Sequence, residues 1–216
     1  MDILFHPLDA ILGTPSKVRL LRELVPIERP VSGREAARLA GLSSYSIRAL
    51  DELVEMGLVL RQEATGQHLF RLNRENYLAE VLSRLFMMER ERTAAIFAAL
   101  RDAVEECDHG AVLSAVIFGS AARGDAAPGS DLDLLVVTSS AAAAEEAYSR
   151  LVDTAPDLER RFGLALSPVV ITQAQARAQI SRDDPFLRAV LREGRLVVGA
   201  ELSELLADET NEEDPG

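Results

Sequence analysis

Val18, Leu21, Leu24 and Val25 recur at helical spacing with Ser16, Lys17, Arg19 and Arg22 between them, so the first clear element is an amphipathic helix. Pro26 and Pro30 end it. Ser32, Gly33, Arg34 and Glu35 then have the order of a capping box, in which Ser32 accepts from the Glu35 backbone while Glu35 reaches back, opening a short helix through Ala40. After a turn at Gly41, Leu42 and Ser43, residues 44–56 place Ile47, Leu50, Leu53 and Val54 on one face, and Gly57 stands where a left-handed helix cap is wanted. Residues 58–61 and 68–72 read as two short strands joined through Thr65 and Gly66.

Three helices and a hairpin predict a winged helix-turn-helix domain over residues 1–75. Residues 76–108 hold few breakers and carry Leu78, Val81, Leu82, Leu85, Phe86, Ile96, Leu100 and Val104 on a helical stripe, which predicts a connector of one helix or two. The alternating charges of 89–92 interrupt that stripe and read as a solvated face or a bend. Met87 and Met88 beside them read first as core and second as a dimer seam. Beyond the connector the period changes. Residues 111–118 and 131–137 read as strands, 141–152 as an Ala-rich helix, and Pro156 as the start of another that ends at Gly163. Residues 164–171 form a third strand, which Pro168 demotes to an edge or a bulge. Thr172 caps a helix through about Ile180, Pro185 opens one that stops at Gly194, and 195–198 close with a short strand. The expected class is α+β, with a small mixed sheet flanked by helices over residues 109–200. Residues 201–216 are expected to be an acidic, disordered tail.

Composition narrows the setting. A chain of 216 residues that is 48% hydrophobic can bury one ordinary core or two small ones. No apolar run approaches the roughly 20 residues that cross a bilayer, and the first residues lack the basic flank and cleavage site of a signal peptide. The lone Cys107 suits a reducing compartment, and the expected location is the cytoplasm. His6, His68 and His109 are too scattered to suggest a metal site. The net charge of -12 argues against wholesale, non-specific nucleic-acid binding, since phosphate backbones repel such a chain. Its distribution is uneven, with ten Lys/Arg against seven Asp/Glu over residues 14–74 and nine against eighteen over residues 111–216. The two halves therefore have different electrostatic tasks.

Residues 118–134 carry the candidate chemistry. Gly119, directly after a buried strand, lets the chain turn sharply and lets a phosphate approach the backbone, while Ser120 begins a short helix whose N-terminal amides attract anions. Asp131 and Asp133 alternate on a strand, so both carboxylates leave one face while Leu132 and Leu134 turn inward. Carboxylates so placed can clamp Mg²⁺ together with substrate phosphates. Arg123, in the connecting loop, can pair with a phosphate.

The run Phe118-Gly119-Ser120-Ala121-Ala122-Arg123-Gly124, followed by Ser130-Asp131-Leu132-Asp133-Leu134, resembles the signature of the DNA polymerase β nucleotidyltransferase superfamily, above all its minimal members. The resemblance covers about residues 109–200. It implies that Gly119, Ser120, Arg123 and Ser130 bind a nucleoside triphosphate, ATP by preference, and that Asp131 and Asp133 are the catalytic carboxylates that hold Mg²⁺. One departure stands out. Active members carry a third carboxylate on the following strand, and residues 164–171 contain none. Arg160, Arg161 and Arg177 are the further cations that could meet phosphate charge.

A winged helix reads DNA by laying its third helix in the major groove with the wing on a neighbouring phosphate. Ser44, Tyr45 and Arg48 on that helix, with Arg61 and Arg71 on the hairpin, are the expected contacts to double-stranded DNA, and a homodimer is expected if DNA is the target. Two functions remain. One is a DNA-binding transcriptional regulator whose second domain binds, and sometimes transfers, a nucleotide. The other is an antitoxin-like nucleotidyltransferase moving AMP from ATP onto a partner protein, for which the resemblance implies a helical partner of the HEPN class.

Overall fold

The structure, a computed structural model, describes residues 4–6, 12, 14–43, 47–64, 66–105 and 110–207. It divides into two units, the first ending at Arg92 and the second beginning at Thr93. The first unit begins with α1 (Pro15–Leu24), entered by a proline at the first helical turn, where a missing N–H costs nothing. A two-residue strand, β1 (Val31–Ser32), leads into α2 (Gly33–Leu39), and α3 (Ile47–Glu55) follows. β2 (Val59–Ala64) and β3 (Gln67–Leu72) form an antiparallel hairpin that pairs Val59 with Leu72 and Ala64 with Gln67. β1 adds to the other edge of β3, with Val31 opposite Phe70, so the sheet order is β1-β3-β2. Two residues are too few to register as a period in the sequence, and β1 exists because buried Val31 has a strand to pair with.

The capping box closes by only one of its two bonds. Ser32 Oγ accepts from the Glu35 amide at 3.2 Å, but the Glu35 carboxylate turns to Arg29, 2.5 Å away. The core of the unit gathers Leu20, Leu24, Leu50, Leu53, Leu72 and Phe86. Phe86 lies on α4 (Ala79–Glu105), a single helix of 27 residues where one or two had been expected. The charges of 89–92 depart from the solvated face read in the sequence. Glu89 is 5% exposed and grips Arg22 in two bonds, Nε to Oε2 at 2.6 Å and Nη2 to Oε1 at 3.0 Å. Arg22 also stacks over Phe86 with 5.7 Å to the ring centroid, and Arg92 donates to the Leu4 carbonyl at 2.7 Å. Since Phe86 and Glu89 share the inward face at i and i+3, the intervening residues point elsewhere: Met87 is 51% and Met88 62% exposed, not core.

The second unit runs β4 (Val112–Phe118), α5 (Gly119–Arg123), β5 (Leu132–Thr138), α6 (Ala141–Phe162), β6 (Leu166–Thr172), α7 (Gln173–Ser181), α8 (Pro185–Glu193), β7 (Arg195–Gly199) and α9 (Leu202–Leu206). Its sheet has the order β6-β5-β4-β7. β5 and β6 are parallel, joined through α6, and β4 is antiparallel to both neighbours. β5 is central, which is why Leu132, Leu134, Leu135, Val136 and Val137 are all buried. β6 is at the edge, where Pro168 can lack an amide donor.

Two elements differ from the reading of the pattern. α6 continues through Pro156 instead of stopping near Val152, because Leu151 and Leu158 are both buried and hold the helix on either side of the proline. The ordered chain also extends past residue 200: α9 buries Leu202, with Leu205 and Leu206 packed on the same core. Residues 208–216 of the expected tail lie outside the described residues. Among the described residues, no helix is long and apolar enough to cross a membrane.

Candidate functional site

Gly119 has φ +69°, a left-handed conformation that a side chain disfavours, and it converts the end of β4 into the first turn of α5. The space is as restrictive as the dihedral. A Cβ on Gly119 would run into Asp133 Oδ2 and lie 3.3 Å from its Cγ. The backbone turn and the carboxylate are therefore immediate neighbours, because Phe118 and Asp133 face each other in the β4–β5 ladder. Phe118 is fixed in turn by an edge-to-face contact with Phe186 at the start of α8, centroids 5.2 Å apart.

Asp131 is exposed at the entrance to β5, and Asp133 is half-buried one pleat further on. Burial pushes the Asp133 carboxyl above its ordinary value, Asp131 pushes it the same way, and Arg123 opposes both. Such a like-charge pair, partly withdrawn from water, favours a proton or a cation. Ser130 faces its own loop: its Oγ accepts from the Ala127 amide at 3.0 Å, and its amide donates to the Ala127 carbonyl at 2.9 Å. Ser120, Arg123, Asp131 and Asp133 thus come together around Gly119, while Ser130 shapes the loop that returns the chain to β5.

The β5–β6 register places Ser167 beside Asp133. Beside Asp133 the neighbouring strand therefore has a serine and not a carboxylate, and among the described residues no group of three or more His, Cys, Asp or Glu side chains is arranged to hold a metal. Of the other cations, Arg160 pairs with Asp157 at 2.7 Å and Arg161 lies over Phe162, 5.0 Å to the centroid. Arg177 has a buried Nε without a hydrogen-bond partner.

Arg123 is the last residue of α5, not part of a loop, and is held more firmly than a free phosphate ligand would be. Its Nε donates to Asp125 at 3.3 Å and its Nη1 to Glu193 at 3.2 Å. Glu193 lies 70 positions from Arg123 and stands in no short motif. Only the packing of α8 beside α5 reveals it.

On the first unit, Ser44 and Tyr45 lie outside the described residues. The Arg48 side chain is 90% exposed and reaches Glu52 through Nε at 3.3 Å, while Arg61 pairs with Asp51 at 3.4 Å. Arg71 is half-buried on β3. Arg34, Arg61, Gln67 and His68 line an open cavity of about 760 Å³ between α2, α3 and the hairpin. These cations are spread over one unit rather than focused on a point.

No curated protein matches the chain. A solved structure described as a toxin-antitoxin with AMP-PNP aligns at 16% identity over 51% of this chain and 80% of that one, with a TM-score of 0.34. The family model for the nucleotidyltransferase domain matches residues 98–188, a span that runs from the second half of α4 into α8 and contains Gly119, Ser120, Arg123, Asp131 and Asp133.

Proposed function

We propose that the second unit binds a Mg²⁺-bound nucleoside triphosphate, by resemblance ATP, in a DNA-binding regulator whose first unit is a winged helix. The observation that carries the nucleotide site is the juxtaposition of Gly119 with Asp133, since a bare backbone turn and a carboxylate in contact are what a phosphate bridged to a cation requires. The donor set fits magnesium, being two hard carboxylates whose ionised forms oppose each other until a cation joins them. When bound, such ions neutralise phosphate charge and make the phosphorus under attack more electrophilic. Gly119 and Ser120 would cradle the phosphates by their amides, Asp131 and Asp133 would hold the ions, and Arg123 would meet the remaining charge. Ser167 in place of a carboxylate leaves no base beside Asp133, which favours binding over rapid turnover.

The winged-helix reading draws its support from three helices and a three-stranded antiparallel sheet, in which β1 between α1 and α2 pairs with the hairpin that follows α3. In it α3 enters the major groove with Arg48, Ser44 and Tyr45 just before it in the sequence are further DNA contacts, and Arg61 and Arg71 approach the backbone from the hairpin.

A second reading is transfer of AMP onto a partner protein, since carboxylates that hold an ion on a bound triphosphate can also promote attack on its phosphorus. Calorimetry with Mg²⁺-ATP tests the site: the wild type should bind, Asp131→Asn and Asp133→Asn should not, and equal binding by all three would sink the assignment. Incubation with labelled ATP then separates the readings. Labelling of a protein that Asp131→Asn abolishes supports transfer, whereas a promoter gel shift lost in Arg48→Ala with nothing labelled supports regulation.

A further inference from the structure

Residues 193–195 form a brace beneath the nucleotide site, outside the span that the family model covers. Glu193 ends α8 and accepts from Arg123 Nη1 at 3.2 Å. Arg195 opens β7 and donates from Nε to the Ala122 carbonyl at 2.8 Å. One residue supplies a side-chain contact and the other a backbone contact to the same C-terminal turn of α5. Gly194 between them is packed so closely that a Cβ would stand 2.5 Å from Val116 Cγ1 and 2.5 Å from the Val190 carbonyl oxygen. The end of α8 therefore lies hard against β4 with little freedom to drift.

Arg123 is i+3 from Ser120 and so on the same side of α5. Its charge reaches Asp133. Its guanidinium is gripped at Nε by Asp125 and at Nη1 by Glu193, and among the described residues Nη2 has no partner. A guanidinium carries five donors in a rigid fork, so holding one side of the fork fixes where the other side points. Glu193 is itself steadied by Arg192, whose Nε donates to Oε1 at 3.2 Å, which leaves Oε2 for Arg123.

We propose that Glu193 is a positioning residue of the nucleotide site, orienting Arg123 so that its remaining N–H groups meet the phosphates; this rests on the reading of residues 118–134 as a triphosphate site. The sign of the effect is diagnostic. An acidic side chain near an anion site repels the ligand by simple electrostatics, so its removal should tighten binding if charge were all that mattered. If Glu193 orients Arg123, its removal weakens binding.

The experiment is calorimetric titration of the full chain with a non-hydrolysable ATP analogue and Mg²⁺, with thermal melting to show that each variant is folded. Glu193→Ala should bind about two- to fivefold more weakly, the range an exposed ion pair supports, with Glu193→Gln in between. Arg123→Ala should lose about tenfold or more. The double variant should bind no more weakly than Arg123→Ala alone, because Glu193 has nothing left to position. Equal or tighter binding by Glu193→Ala, or losses that simply add in the double variant, would overturn the positioning role while leaving the site itself intact. A wild type that binds no analogue would overturn both.

Discussion

At the scale of single residues, Gly119 and Asp133 share one tightly filled space. The methyl group of Gly119→Ala would have to occupy space held by the Asp133 carboxylate, from a backbone at φ +69°. We expect Gly119→Ala to cost about 1–3 kcal/mol, read by urea denaturation, and to abolish Mg²⁺-ATP binding. Asp133→Asn should do the reverse for the fold. It removes a half-buried charge and its repulsion with Asp131, so the melting temperature should rise even as nucleotide binding disappears. A variant that melts lower would show that Asp133 is held by contacts that favour its charge. The residue pattern alone exposed both positions, because a glycine after an apolar strand and two alternating aspartates are local features. That the two touch is not local, since it depends on Phe118 and Asp133 sharing a rung.

At the scale of elements, the pairing of α1 with α4 rests on Arg22 and Glu89. A buried charge without its partner is far costlier than none, so Arg22→Met should destabilise by about 3–5 kcal/mol, whereas Arg22→Met combined with Glu89→Leu should recover most of the loss. Chemical denaturation of the three chains decides this, and a double variant as unstable as the single would show that the site cannot repack. Periodicity located α4 but misread this stretch. Glu89 stands in a run of charges that looks solvated, yet in the fold it meets Arg22, 67 positions earlier, in the interior. Pro156 gives the complementary lesson. Local propensity ends a helix there, and burial of Leu151 and Leu158 against the sheet carries it on.

For the whole molecule, charge governs the response to pH. Arg29 holds the Glu35 carboxyl below its ordinary value of 4.5, and Lys17 does the same for Glu52. Groups lowered in this way add stability that is present above the ordinary value and lost as the pH falls through their native ones. The first unit should therefore melt at progressively lower temperature as the pH drops below about 4.5. The effect should be weaker at high salt, because both pairs remain partly open to solvent, and weaker in Glu35→Gln. Circular dichroism melts across pH in low and high salt check this, and a profile identical in wild type and Glu35→Gln would exclude any contribution from that pair.

Local order along the chain sufficed for most of the elements and for picking out residues 118–134 as the candidate site. The end of one strand, a glycine turn, a short helix and the start of a second strand lie within seventeen consecutive residues, so their spacing alone brings out Gly119, Asp131 and Asp133 as candidates. Tertiary structure decided what surrounds them. The parallel register of β6 sets Ser167 beside Asp133, and the packing of α8 brings Glu193 to Arg123 across 70 positions. Neither neighbour leaves a trace in periodicity, because strand register and helix packing are selected by the fit of whole buried faces, not by the residues that happen to meet at their ends.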